Sequence, residues 1–312
     1  HCFGVVLGVM AAVNHCTSMV IIEVFNPLKV LSAVQDERCT ALYGVPSMFL
    51  SILEHRHFSR YDLSSLRTGI MAGSVCPVPL MRRAMEDMYL RDLTNCYGLT
   101  EASPVMSQTT ADDDFRHKTE TVGRPMPGME VLVADPDLLP GQVVEVPRGE
   151  QGELVCRGYN IMKGYYKMPE ATAEVINSEG WLRSGDLGSM DEEDYIVING
   201  RVKDMIIKGG ENIYPREIEN FLLAMDRILD VQVVGVPSRR YGEDVVAFII
   251  PREGAKLNNQ DVRAYCKGKI AWHKVPRYIA FVDAYPMTGS KKIQKFILRK
   301  KAVEMFGEAA GR

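Results

Sequence analysis

A chain of 312 residues, 46% apolar and 25% charged, is long enough for two domains with buried cores. Its formal charge of −3 gives no overall excess that would recruit nucleic acid. Seven scattered cysteines without a CxxC pair argue against a disulfide framework or a zinc site, so a reduced, cytoplasmic setting is expected.

The chain opens on His1 and the apolar run CFGVVLGVMAAV. No basic segment precedes the run, and Asn14 and His15 stop it short of a membrane span, so neither a signal peptide nor a transmembrane segment is expected. It reads as a buried helix whose start lies upstream, which makes the chain a truncated fragment in expectation.

MVIIEV (19–24) is a continuous apolar run of strand length. Asn26-Pro27 opens a helix with Leu28, Leu31 and Val34 on one face. TALYGV (40–45) predicts a buried strand and Pro46-Ser47 a helix start. RTGIMAG (67–73) and LTNCY (93–97) repeat the theme around a helix carrying Leu80, Met81, Ala84, Met85 and Met88. Buried strands separated by amphipathic helices predict an α/β layer with a mainly parallel sheet. Ligands of such sheets sit beyond the carboxyl ends of strands, which draws attention to MAGS (71–74) and YGLTE (97–101).

From about Val122 the texture changes to short runs, MEVLVAD, GELVCRG and DYIVI, between glycine and proline turns, predicting a barrel or sandwich. Asn199-Gly200 between apolar alternations is a hairpin signal. After Gly200, a helix begun at Pro215 with Ile218, Phe221, Leu222 and Met225 precedes the strands VQVVGV (231–236) and EDVVAFII (243–250). A helix around Val262 to Ile270 and the strand YIAFVD complete a separate α+β domain of roughly 110 residues.

Four stretches carry candidate chemistry: YGLTE (97–101), GWLRSGDLG (180–188), GRVKDMIIKGGENIYPREIE (200–219) and PMTGSKKIQK (286–295). Taken in this order, with TVGRPMPGMEV and GELVCRGYNIMKGYY between them, they resemble the adenylate-forming superfamily of acyl- and aryl-CoA synthetases, luciferases and peptide-synthetase adenylation domains. GGENIYPREIE and AYCKGKI resemble the fatty acyl-CoA synthetase branch. The resemblance spans essentially the whole chain. It implies an α/β fold: residues 1–200 as part of a large AMP-binding domain (an α/β layer over 1–120, a β-barrel-like subdomain over 121–200) and 201–312 as a small mobile domain.

The implied activity is an AMP-forming acid–thiol ligase acting on a carboxylic acid, expected to be fatty, with ATP, Mg²⁺ and CoA. Two alternatives stay open, an adenylation enzyme that loads a carrier protein and a non-catalytic nucleotide-binding homologue. The resemblance further implies that Tyr97 stacks on adenine, that Thr100 bonds a phosphate oxygen, and that Glu101 holds Mg²⁺. Gly98 would let the backbone come close, and Gly73 and Ser74 would line the same site. Asp186 would accept the ribose hydroxyls, and Arg201 would reach ribose or phosphate. Lys203 would be the interdomain hinge, Gly209 and Gly210 would line the CoA pantetheine tunnel, and His1 would border the acyl pocket.

The family pattern Pro-x-Thr-x-Ser-Gly-Lys-Ile-x-Lys selects Lys292 as the lysine that meets carboxylate and α-phosphate, through matches at Pro286, Thr288, Ser290, Ile293 and Lys295. Lys291 departs from the pattern, standing where glycine is usual. Lys295, Arg299, Lys300 and Lys301 read as a solvated helix face or a patch for CoA phosphates. Each motif also has a plainer reading. YGLTE could be a strand-to-helix turn, GDLG a turn aspartate, and Gly209-Gly210 a simple turn. His55 and His57 lack the carboxylate or cysteine support a metal pair needs. The family's phosphate loop has no counterpart here, so the 312 residues alone are expected to turn over little ATP.

Overall fold

Prolines placed one residue inside helix starts, and apolar runs of alternating facing, organise most of this chain. The computed structural model describes residues 1–74, 76–136, 141–287 and 293–307. They divide into two units, His1–Ile198 and Asn199–Arg312.

In the first unit, helical turns over Phe3–Met10 lead into α1 (Ala11–Asn14). The expected helix is there, but it is not buried along its length. Phe3 and Leu7 pack inward, while Val5 and Val13 are 53% and 60% exposed. The expected strand at 19–24 is absent, and Ile21 and Val24 are exposed. An isolated apolar run becomes a strand only with a partner to complete its hydrogen bonds, and this run pairs with none among the described residues.

The alternation resumes as read, except that the strand expected to be buried at 40–45 lies at the sheet edge with Tyr43 43% exposed. In order come α2 (Pro27–Asp36), β1 (Ala41–Gly44), α3 (Pro46–Leu53), β2 (Thr68–Ala72), α4 (Val78–Asp87) and β3 (Asp92–Gly98). Asn26 caps α2, its side chain accepting from the Leu28 and Lys29 amides. β1, β2 and β3 are parallel, and β4 (Val105–Gln108) joins β3 antiparallel. α5 (Phe115–Glu120) precedes β5 (Arg124–Pro125), which completes a mixed five-stranded sheet. Leu31, Phe49, Ile52, Met71, Met81 and Leu93 fill the core between helices and sheet.

β6 (Met129–Ala134) and β7 (Gly152–Gly158) are followed by α6 (Pro169–Val175), β8 (Leu182–Met190) and β9 (Ile196–Arg201). The four strands of this subdomain, read as a barrel or sandwich, form one sheet in the order β6-β7-β8-β9 that is not a closed barrel. Asn199-Gly200 makes no hairpin either, because β9 runs through it.

The second unit carries β10 (Ile206–Lys208), β11 (Glu211–Ile213), α7 (Pro215–Leu223), β12 (Ile228–Ser238), β13 (Gly242–Pro251), α8 (Asn259–Cys266), β14 (Tyr278–Phe281) and α9 (Lys295–Phe306). The true hairpin turn is Gly209-Gly210, with both residues at positive φ (63° and 87°) between paired Lys208 and Glu211. Alternation along β12 and β13 builds two cores. Val231, Val233, Val245 and Ala247 face Ile218 and Leu222 of α7, whereas Val234, Val236, Val246 and Phe248 face Leu298 and Ala302 of α9.

Buried charge in this unit is paired. The fully buried Asp244 meets Lys208 Nζ at 3.0 Å and Arg277 Nη1 at 2.7 Å. Burial alone would raise its pKa, but hydrogen bonds from Ser238 and Lys208 outweigh this and hold it below the usual carboxylate range. A depressed folded-state pKa contributes stability that is present above the unfolded value and lost as pH falls through the folded one. Denaturant midpoints are therefore expected to fall below about pH 4, the unfolded aspartate range. Asp244→Asn should flatten that acid limb at a general cost in stability; an unchanged limb would contradict the assignment.

Candidate active site

Parallel pairing of Ala72 with Cys96 sets Gly73 and Ser74, at the carboxyl end of β2, alongside Tyr97 and Gly98 of β3. Gly73 needs its freedom, with φ at 88°. Gly98 is required for a different reason from the one expected. A Cβ there would lie 1.8 Å from the Pro104 carbonyl oxygen, so the close approach is by the protein's own backbone where β3 meets β4.

The YGLTE turn and the GDLG segment converge although 89 residues separate their key side chains. The Tyr97 hydroxyl donates to Asp186 Oδ2 at 2.7 Å. Burial and then the Asp186 charge push the Tyr97 phenol well above its ordinary pKa, so it stays the donor. The Tyr97 ring packs against the cluster that includes Ala102, Met106 and Leu154.

The backbone next to Asp186 is braced by β7. Glu153 of β7, 3% exposed, accepts from Arg183 Nε at 2.7 Å and from the Gly185 amide at 2.9 Å. The Asp186 amide donates to Ser184 Oγ at 3.0 Å. Sequence reading singled out Asp186 but not Glu153 or Arg183, although both lie in the phrases GELVCRG and GWLRSGDLG.

Thr100 and Glu101 form one 3-10 turn after β3. Cys2 Sγ lies 3.5 Å from Thr100 Oγ1, which brings the N-terminal HCFG segment to this turn. His1 Nδ1 accepts from the Phe3 amide at 3.2 Å. Glu101 Oε1 accepts from the Tyr165 hydroxyl at 2.8 Å, another partner not foreseen. No group of three or more metal-ligating side chains occurs among the described residues. A single carboxylate is nonetheless adequate for Mg²⁺, which binds through one or two carboxylates plus substrate phosphates. His55 Nδ1 accepts from the His57 amide at 3.2 Å.

In the second unit, Arg201 ends β9 and Lys203 lies in the 3-10 turn Val202–Asp204, its carbonyl accepting from Arg299 Nη1 at 3.4 Å. The Gly209 amide donates to the Tyr241 carbonyl at 2.7 Å. Tyr241 and Trp272 rings sit 6.0 Å apart, with Lys208 Nζ within 5.9 Å of both. Lys291 and Lys292, with Thr288 and Ser290, lie outside the described residues.

Lys295 and Arg299 are not the solvated face expected. Lys295 Nζ bonds the buried Glu219 Oε1 at 2.6 Å, and Arg299 pairs with Glu243. Glu219 Oε1 also accepts from the Val233 amide at 2.9 Å, so the pair caps backbone on β12.

The chain belongs to the AMP-binding enzyme family. Residues 1–166 match the family itself and 217–292 match its C-terminal domain. The Bacillus subtilis protein YngI is 54% identical over 98% of this chain and 55% of its own length. The mitochondrial medium-chain acyl-CoA ligase ACSF2 of Bos taurus is 43% identical over 96% of the chain and 48% of its own length. Crystalline ATP-bound MatB from Rhodopseudomonas palustris superimposes with a TM-score of 0.88 at 30% identity, over 98% of this chain and 59% of that one. The chain thus spans about half the length of the curated relatives it matches. No helix among the described residues is long and apolar enough to cross a membrane.

Proposed function

We propose that the full-length protein carrying this chain is an ATP-dependent acid–CoA ligase. The observation that carries the reading is the bond between Tyr97 and Asp186, which joins the two nucleotide motifs at the end of a parallel strand. In this reading the substrate carboxylate attacks the α-phosphorus of ATP and pyrophosphate leaves. CoA thiolate then attacks the acyl carbonyl and AMP leaves.

Tyr97 presents a fixed aromatic face to adenine while orienting Asp186 for the ribose hydroxyls, with Arg201 as a second nucleotide contact. Thr100, Gly73 and Ser74 approach the phosphates, and Glu101 holds Mg²⁺. When bound, Mg²⁺ offsets charge on the phosphate oxygens as the α-phosphorus is attacked. Lys292 supplies a second cation there. Lys203 serves as the hinge between the two half-reactions, and His1 borders the acyl pocket. The turn at Gly209 and Gly210, beside the exposed Trp272 ring, receives CoA.

A fatty acid is the favoured substrate, supported by the medium-chain acyl-CoA ligase among the relatives. The cytoplasm is the proposed setting. The test is product analysis with a panel of acids, ATP and either free CoA or a phosphopantetheinyl carrier protein. AMP, pyrophosphate and acyl-CoA are expected. ADP with phosphate would overturn the reading, and acylation of the carrier alone would move the enzyme to the carrier-loading class.

A further inference from the structure

We infer that Tyr165 is a positioning residue for Glu101, fixing one carboxylate oxygen so that the other is presented to a divalent cation. The inference rests on the proposed role of Glu101 and adds a residue that no motif assigned. Tyr165 lies in the stretch 159–168 that leaves β7, 64 residues from its partner. Its hydroxyl donates to Oε1 at 2.8 Å, and Glu101 has no other side-chain hydrogen bond or ion pair among the described residues.

The chemistry of the donor matters. An arginine or lysine at this position would orient the carboxylate but also neutralise it, weakening its pull on a cation. A phenol orients it and leaves the full charge. With Oε1 engaged by the phenol, Oε2 is the oxygen Glu101 would offer to Mg²⁺, which is held by one or two carboxylates together with substrate phosphates.

The side-chain bond is not needed to hold the stretch in place. Asn160 Nδ2 donates to the Val105 carbonyl at 2.8 Å, and the Met162 amide donates to the Glu101 carbonyl at 2.8 Å. Tyr165 itself is anchored from behind, its amide donating to Thr172 Oγ1 at 2.9 Å. Gly164 permits this, since a Cβ there would lie 2.8 Å from the Thr172 methyl. The backbone that carries the ring is therefore anchored independently of the carboxylate the hydroxyl meets, as a preorganised supporting partner requires.

The experiment compares Tyr165→Phe and Glu101→Gln with the unaltered full-length protein. Mn²⁺ binding in the presence of α,β-methylene-ATP is titrated by electron paramagnetic resonance, and the Mg²⁺ dependence of pyrophosphate exchange is measured alongside. Tyr165→Phe is expected to weaken Mn²⁺ binding roughly tenfold or more, the range for removing a partner that orients a metal ligand. The Mg²⁺ concentration for half-maximal exchange should rise by a similar factor. Thioester formation from supplied acyl-adenylate, which cleaves no phosphoanhydride, should be unchanged, and this also shows that the variant is folded. Unchanged metal binding in Tyr165→Phe with loss in Glu101→Gln would overturn the inference and leave the proposed function standing. Retained binding in Glu101→Gln would instead remove the role of Glu101, and the inference with it. Equal loss of both half-reactions in Tyr165→Phe would make the residue merely structural, and would likewise overturn it.

Discussion

Lys292→Ala in the full-length protein is expected to lower adenylate formation by roughly 10²–10³-fold, the scale for removing one electrostatic stabiliser of a developing charge. Thioester formation from preformed acyl-adenylate should be largely spared, because in that step the attack falls on the acyl carbonyl, and the charge-rich transition state at the α-phosphorus that Lys292 would stabilise does not form. The assignment rests on register: Pro286, Ile293 and Lys295 keep the family spacing on either side, and Lys292 is the member of the run that falls on the reactive position. Lys291 lies next to it and carries the same charge, so Lys291→Ala is the control that should change adenylation little. Equal loss of both half-reactions in Lys292→Ala would reject the assignment.

Glu219→Ala is expected to destabilise the small unit by about 3–5 kcal/mol, the cost of breaking a buried ion pair by removing one partner. Three groups lose their acceptor together: Lys295 Nζ at 2.6 Å, the Val233 amide at 2.9 Å and Arg216 Nη1 at 3.7 Å. Glu219→Gln, which can still accept from Val233, should lose less. Chemical denaturation gives the values. The companion change Lys295→Met separates the two readings of that lysine. A role in the fold predicts a lower denaturation midpoint with KM for CoA unchanged, while a CoA-phosphate contact predicts the reverse.

These two lysines show what was legible in the sequence. The spacing Thr288, Ser290, Lys292 is local, so register alone could choose among neighbours. The fate of Lys295 was not local, since its partner is 76 residues away on α7. The same division runs through the fold. VQVVGV and EDVVAFII were legible as strands, while the packing of their two faces against α7 and α9 shows only in the fold.

The run MVIIEV (19–24) satisfied the same composition rule and forms no strand, since pairing depends on a neighbour that its own residues do not specify. Asn199-Gly200 and Gly209-Gly210 offered two turn signals of equal chemical plausibility. Only at the second are two short strands paired across the turn. In the candidate site, Tyr97, Thr100, Glu101 and Asp186 were legible as motif members. Glu153, which braces the Gly185 amide beside Asp186, and Tyr165, which bonds Glu101, were not, because such a residue is defined by what it touches across the fold.

In the proposed reaction the YGLTE and GDLG segments form one site where ATP is opened at its α-phosphorus by a carboxylate. Acid-dependent exchange of labelled pyrophosphate into ATP, measured on the full-length protein and on its Asp186→Ala variant without CoA, tests this most directly. Exchange that requires the acid and falls by at least tenfold in the variant is the predicted result, on the scale of losing charged hydrogen bonds to the ribose. Exchange that proceeds without acid, or survives undiminished in the variant, would contradict it.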